Sequence, residues 1–141
     1  MNSRVSLITS ASLCLLSVPV FAEQVVVSEI MYNPPGALPE FIELSNITAT
    51  PLDIALWRFS DGVDFTFPNF NAGTPSAHLL LPYEKILISS ASDVATRAAY
   101  PGIPGGVRIF GPWSALTSLD NNGERISSVD VIGDVGVVGG W

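Results

Sequence analysis

Three glutamates, Glu29, Glu40 and Glu43, crowd the stretch SEIMYNPPGALPEFIELSN (28–46). Carboxylates close together can share out the roles of general acid, general base or nucleophile, as in glycoside hydrolysis, provided that one pKa is raised and both face a common pocket. Two further acidic groups lie in turns, Asp61 and Asp64 in DGVD and Asp120 and Glu124 in DNNGE. Oxygen-rich loops of this kind suit extracellular calcium. The first is short for a cage and the second lacks the spacing of an EF-hand loop. Asp and Asn beside Gly are also the ordinary residues of tight turns, so the turn reading comes first. Calcium at Asp61, Asp64, Asp120 and Glu124 is the one cofactor weighed, and no other is expected.

The remaining inventory of chemistry is short. The single histidine, His78, stands among small and apolar residues and reads as a strand-end surface residue. With one histidine, no multi-histidine metal site and no HExxH can be assembled, and no Ser-His-Asp set would have a spare base. No GxSxG, Walker-type or GxGxxG motif is present. The sole lysine, Lys85, follows Pro82-Tyr83-Glu84 and reads as a solvated edge charge at a strand start. No catalytic residues are expected.

The elements that must carry the three glutamates are strands. Short apolar and β-branched runs recur at 25–32, 41–46, 52–59, 64–68, 78–81, 86–89, 107–110 and 126–132. Turn signals separate them: Pro34-Pro35-Gly36, Asp61-Gly62, Asn71-Ala72-Gly73, Pro101-Gly102, Pro104-Gly105-Gly106 and Asn121-Asn122-Gly123. Such spacing indicates a β-sandwich or barrel. One helix-compatible stretch, 92–100, has Ser92 or Asp93 as its cap and Pro101 as its stop. Side chains alternate along a strand, so Glu29 and Met31 oppose Ile30 and Tyr32, while Glu40, Ile42 and Leu44 oppose Phe41, Glu43 and Ser45. Neither strand has one clean apolar face. Glutamates in such strands are best explained as lying near strand ends or answering backbone donors and arginines.

Arg4, the apolar run at 7–20 and the small residues Val20 and Ala22 read as a signal peptide cleaved after Ala22. The run is short for a bilayer span, which takes roughly 20 apolar residues, and no later stretch is longer. The expected product is a single domain of residues 23–141 that is secreted, periplasmic or displayed at the cell surface. Cys14 is the only cysteine and leaves with the signal, so no disulfide can hold the mature fold. Five basic residues then face thirteen acidic ones. So acidic a module, with Arg58, Lys85, Arg97, Arg108 and Arg125 scattered along it, is a poor match for nucleic acid.

Several motifs together resemble the lamin-tail domain of the bacterial secreted type. They are Val27 to Pro34, Glu40 to Asn46, Pro51-Leu52-Asp53 with Leu56 to Ser60, Phe65 to Pro68, Leu81-Pro82, and Leu119 to Ile126. The resemblance implies an immunoglobulin-like β-sandwich with Ile30, Ile42, Leu44, Trp57 and Phe59 in the core and a turn at Pro51-Leu52-Asp53. The family pattern has a final strand and a Trp-containing tail, whereas this chain closes on a glycine-rich segment ending in Trp141. That ending resembles domains that continue into an extracellular nuclease or other hydrolase.

The reading that follows is an exported, non-catalytic interaction module for a protein, glycan or cell-envelope partner. The alternative is an N-terminal accessory domain of a larger secreted hydrolase, such as a nuclease or phosphatase. Asn46-Ile47-Thr48 also fits a glycosylation sequon, which the bacterial resemblance discounts.

Overall fold

A computed structural model describes residues 24–69, 77–123, 125–129 and 135–140. Among the described residues nine strands and one helix follow one another as β1 (Val25–Met31), β2 (Phe41–Asn46), β3 (Leu52–Asp53), β4 (Arg58–Asp61), β5 (Leu79–Leu80), β6 (Lys85–Ser89), α1 (Asp93–Ala99), β7 (Arg108–Phe110), β8 (Arg125–Val129) and β9 (Val135–Gly140). They form a four-stranded sheet in the order β1-β2-β6-β7, a three-stranded sheet β4-β8-β9 and the small pair β3-β5. Side chains from all three meet in one core, including Ile42, Leu44, Ile86 and Ile88 from the first sheet, Phe59 and Ile126 from the second, and Leu80 from the pair. This is the all-β, immunoglobulin-like sandwich that the family resemblance implies, where the spacing of short strands left a sandwich or a barrel open.

The mixed faces of β1 have a specific cause. Its pairing with β2 runs Val27 opposite Leu44 and then Glu29 opposite Glu43, so the register slips at Ser28. An extra residue in one strand shifts the side-chain period by one. Val25, Val27, Ile30 and Tyr32 consequently all pack on the core although their spacing is two, three, two. Glu29 and Met31 are left to the outer face.

The outer face of β2 is not fully solvated either. Phe41 is buried there, its ring edge-on to Tyr100 at 5.3 Å between centroids. Tyr100 is the C-cap of α1, and its hydroxyl donates to Pro39 O at 2.7 Å. α1 also explains the one parallel pairing of the sheet, β6 with β7, because parallel neighbours require a crossover. Ser92 caps the helix by accepting the Ala95 N–H at 3.3 Å, and Thr96, buried beneath, meets Ser89 Oγ at 2.8 Å.

Four expectations about the strands are corrected. Residues 52–59 do not form a single strand: Asp53 Oδ1 accepts the Ala55 N–H at 2.9 Å, Leu56 takes φ = 61°, and the chain turns between β3 and β4. The turn expected at Pro51-Leu52-Asp53 therefore lies one step later. Residues 64–68 make only the isolated bridge of Thr66 to Arg58. The glycine-rich ending is a strand after all, since Val135–Gly140 pairs antiparallel with β8.

Trp57 is half-buried and packs against the core, as does Ile30, while Ile42, Leu44 and Phe59 are buried within it. The tryptophan that fills the interior is Trp113, whose indole N–H donates to Thr117 O at 3.1 Å.

Candidate functional site

The three glutamates do not converge. Glu40 stands at the start of β2 with its carboxylate accepting the Leu119 N–H at 3.1 Å, which ties the loop before β8 to the first sheet. Glu43, on the opposite face of the strand, receives Lys85 Nζ at 2.5 Å and Ser28 Oγ at 2.7 Å. Glu29 lies directly across from Glu43 on β1, so two like charges face each other and Lys85 answers one of them. Like charges directly opposite are destabilising on a sheet face, and the bridging lysine offsets this. Lys85 therefore differs from its expected role: β6 is an interior strand, and its ammonium, half exposed, holds an ion pair rather than guarding an edge.

The acidic turns behave as turns. Asp120 Oδ1 accepts both the backbone N–H of Asn122 at 2.8 Å and its side-chain amide at 3.0 Å. Gly62 and Gly123 adopt φ of 85° and 93°, the left-handed values that tight turns reserve for glycine. Asp61 and Asp64 line one hollow with Thr117, and the Asp64 backbone is held by Thr117 Oγ1 and by the Ser114 N–H. Glu124 lies outside the described residues. Among the described residues no group of three or more His, Cys, Asp or Glu side chains is placed to hold a metal ion.

Two larger hollows lie among the described residues. One, of about 390 Å³, lies among the loops at the end where β1 and β6 finish, and Tyr32, Asn33, Glu40, Ser90, Trp113 and Asn121 contribute to it. The other, of about 490 Å³, covers the outer face of the first sheet, where Met31, Phe41, Leu87, Tyr100 and Ile103 share the lining with Glu29 and Glu43. Both are in the usual size range of ligand sites.

A family model for the lamin tail domain matches residues 22–133. The chain belongs to the lamin tail domain family. No curated protein matches it significantly. Within this lamin tail domain the charged side chains brace the backbone. Arg108 on β7 donates through Nε and Nη2 to the two carboxylate oxygens of Glu84, each at 2.8 Å, and further to Ala77 O and Leu79 O. Arg97 pairs with Asp93 one helical turn away at 2.7 Å and also donates to Pro104 O and Val107 O.

The sequon asparagine has a structural task of its own. Asn46 is fully buried, and its Nδ2 donates to Thr50 O, Leu80 O and Leu81 O at 2.8, 3.2 and 3.0 Å. Its Oδ1 accepts the N–H and the hydroxyl of Thr48. An amide so engaged is closed to a glycosyl transfer, and the lamin tail domain instead uses it to lock the end of β2 onto β5. His78 sits just before β5, its carbonyl accepting the Ile54 N–H, in keeping with the strand-end position expected. Among the described residues no helix is long and apolar enough to cross a membrane.

Proposed function

We propose that this lamin tail domain is an exported, non-catalytic interaction module that engages a protein, glycan or cell-envelope partner through its loops and strand edges. The observation that carries the reading is the employment of its ionisable side chains. Glu40, Glu43, Asp53, Glu84 and Asp120 each accept hydrogen bonds that fix the backbone or a neighbouring cation. A catalytic carboxylate must instead be directed at a substrate. Export is supported by the N-terminal sequence, with its basic start, apolar run and small residues at the cleavage position. Lys85, Arg97 and Arg108 are already matched to the chain's own carboxylates in a protein of net charge −7, which leaves little cation density for a phosphate backbone.

The purified chain is expected to give no turnover of double-stranded DNA, p-nitrophenyl phosphate or a soluble β-glucan, and to leave the electrophoretic mobility of DNA unchanged. Turnover that disappears in Glu40→Gln or Glu43→Gln would replace the module with an enzyme. N-terminal sequencing of the exported product should begin at Glu23; an intact Met1 on the protein recovered outside the cytoplasm would contradict the cleavage.

A further inference from the structure

The hollow on the outer face of the first sheet joins an apolar floor to an unbalanced acidic rim. Phe41 on β2 and Leu87 on β6 form the floor and are only 7% and 4% exposed. Met31, directly across from Phe41 on β1, extends it. The segment 99–107 walls the hollow and is pinned in place. Tyr100 Oη donates to Pro39 O at 2.7 Å, the Ile103 N–H to Tyr100 O at 3.1 Å, and Arg97 Nη1 to Pro104 O at 3.3 Å. A cleft that is already formed binds without the cost of ordering its walls.

The rim is set by the strand register, which places Glu29 opposite Glu43 and Glu43 opposite Leu87. Both carboxylates line the hollow, so like charges sit side by side against an apolar surface. Lys85 Nζ and Ser28 Oγ both donate to Oε1 of Glu43, whose side chain is 15% exposed. Among the described residues nothing donates to its Oε2 or to the carboxylate of Glu29. Two carboxylates therefore share one ammonium, and the repulsion between them is only partly relieved.

We propose that this hollow takes an arginine side chain, together with an apolar neighbour, from an extended segment of a partner protein. Charge complementarity selects that occupant: the rim lacks one positive charge, and it repels anionic ligands in a chain of net charge −7. A planar guanidinium can serve Glu43 Oε2 and Glu29 at once, which the point charge of an ammonium cannot. Its aliphatic stem lies along Met31, and the apolar neighbour covers Phe41 and Leu87. The proposal names a partner for the interaction module and rests on that reading.

The test is selection of a phage-displayed library of random linear peptides on the purified chain, followed by amide NMR of the chain with the most enriched peptide. Arginine beside a leucine, isoleucine, valine or phenylalanine is expected to be enriched, with the largest shifts at residues 29–31, 41–43 and 100–104. Citrulline, the uncharged isostere, in place of the arginine should weaken binding about tenfold or more, as expected for lost charge-assisted hydrogen bonds. Glu29→Gln should weaken it as much without lowering the urea midpoint, because Glu29 has no bond to lose. Glu29→Lys supplies the cation from within and should abolish binding while raising the midpoint. No enrichment, enriched peptides without arginine, binding indifferent to Glu29→Gln, a lowered Glu29→Gln midpoint or shifts centred elsewhere would each overturn the assignment. Shifts at the hollow that depend on protein concentration without peptide would overturn it in favour of a second copy. Any of these without hydrolytic turnover overturns the hollow alone, whereas turnover overturns the module.

Discussion

Arg108 and Glu84, 24 positions apart, meet through two hydrogen bonds of 2.8 Å while the same guanidinium donates to Ala77 O and Leu79 O. One planar fork thus ties β7, the strand after the helix, to the segment that leads through β5 into β6. A lysine can place its ammonium at one of these acceptors but cannot serve all four in one plane. Arg108→Lys is therefore expected to cost about 2–3 kcal/mol, in the range of lost charge-assisted hydrogen bonds. Urea unfolding checks it, with the midpoint falling and the slope unchanged.

Asn46 is the buried counterpart of that fork. Asn46→Ala would remove, at a fully buried position, the amide that donates to Thr50 O, Leu80 O and Leu81 O and accepts the Thr48 N–H. Losing these hydrogen bonds is expected to cost about 2–3 kcal/mol. Asn46→Asp should be at least as damaging, since a carboxylate has no donor for the carbonyls of Thr50, Leu80 and Leu81. Thermal melts of both variants measure this. Secreted from a glycosylating eukaryotic host, the wild-type chain should show no mass increment at Asn46 despite its sequon.

The calcium reading is tested by removal. Asp120 closes its own turn, and Asp61 and Asp64 bring only two carboxylates to one hollow. Melting curves in excess calcium and in chelator are expected to coincide. A ligand that binds only the folded state raises the midpoint, so a large downward shift in chelator would restore the acidic turns as a metal site.

Gly111 has no room for a side chain. With φ at 148°, a β-carbon there would meet Ser89 O at 2.5 Å and Ala91 O at 2.6 Å, both rigid backbone atoms. Gly111→Ala should cost about 3 kcal/mol or more through overpacking and backbone strain. Gly102→Ala, whose β-carbon meets nothing within 4 Å, should stay within about 0.5 kcal/mol of wild type. Parallel denaturation curves of the two variants make the comparison.

What could be read in advance divides along physical lines. Local signals served well: the Ser92 cap and the Asp-Gly and Asn-Gly turns depend on neighbours in sequence, whereas the core positions Ile42 and Leu44 came from the family resemblance. Relations across the sheets were hidden. The slip at Ser28 blurs the alternation of β1 because one extra residue exchanges the faces. Val135–Gly140 has too many glycines to signal a strand, and its pairing with β8 makes it one. Trp113, between Pro112 and Ser114, belongs to no periodic run, so nothing in its surroundings announced that it fills the core. Lys85 looked like an edge residue because the parallel strand β7, beyond a helix, was not expected beside it.

Burial raises the pKa of Tyr100 above its ordinary value, because desolvation penalises the phenolate. The unfolded chain then loses this proton at lower pH than the folded one, so the contribution to stability is complete below about pH 10 and declines as pH rises through the folded pKa. The phenol also donates to Pro39 O and sets its ring edge against Phe41. Tyr100→Phe keeps the ring contact and removes both the hydrogen bond and the titration. At pH 7 it is expected to cost about 1 kcal/mol, while its stability should fall less steeply than that of wild type between pH 9 and pH 11, roughly either side of the ordinary tyrosine pKa. Thermal unfolding of the two proteins across that interval decides the matter: equal slopes would mean that the Tyr100 phenol is not what carries the alkaline loss.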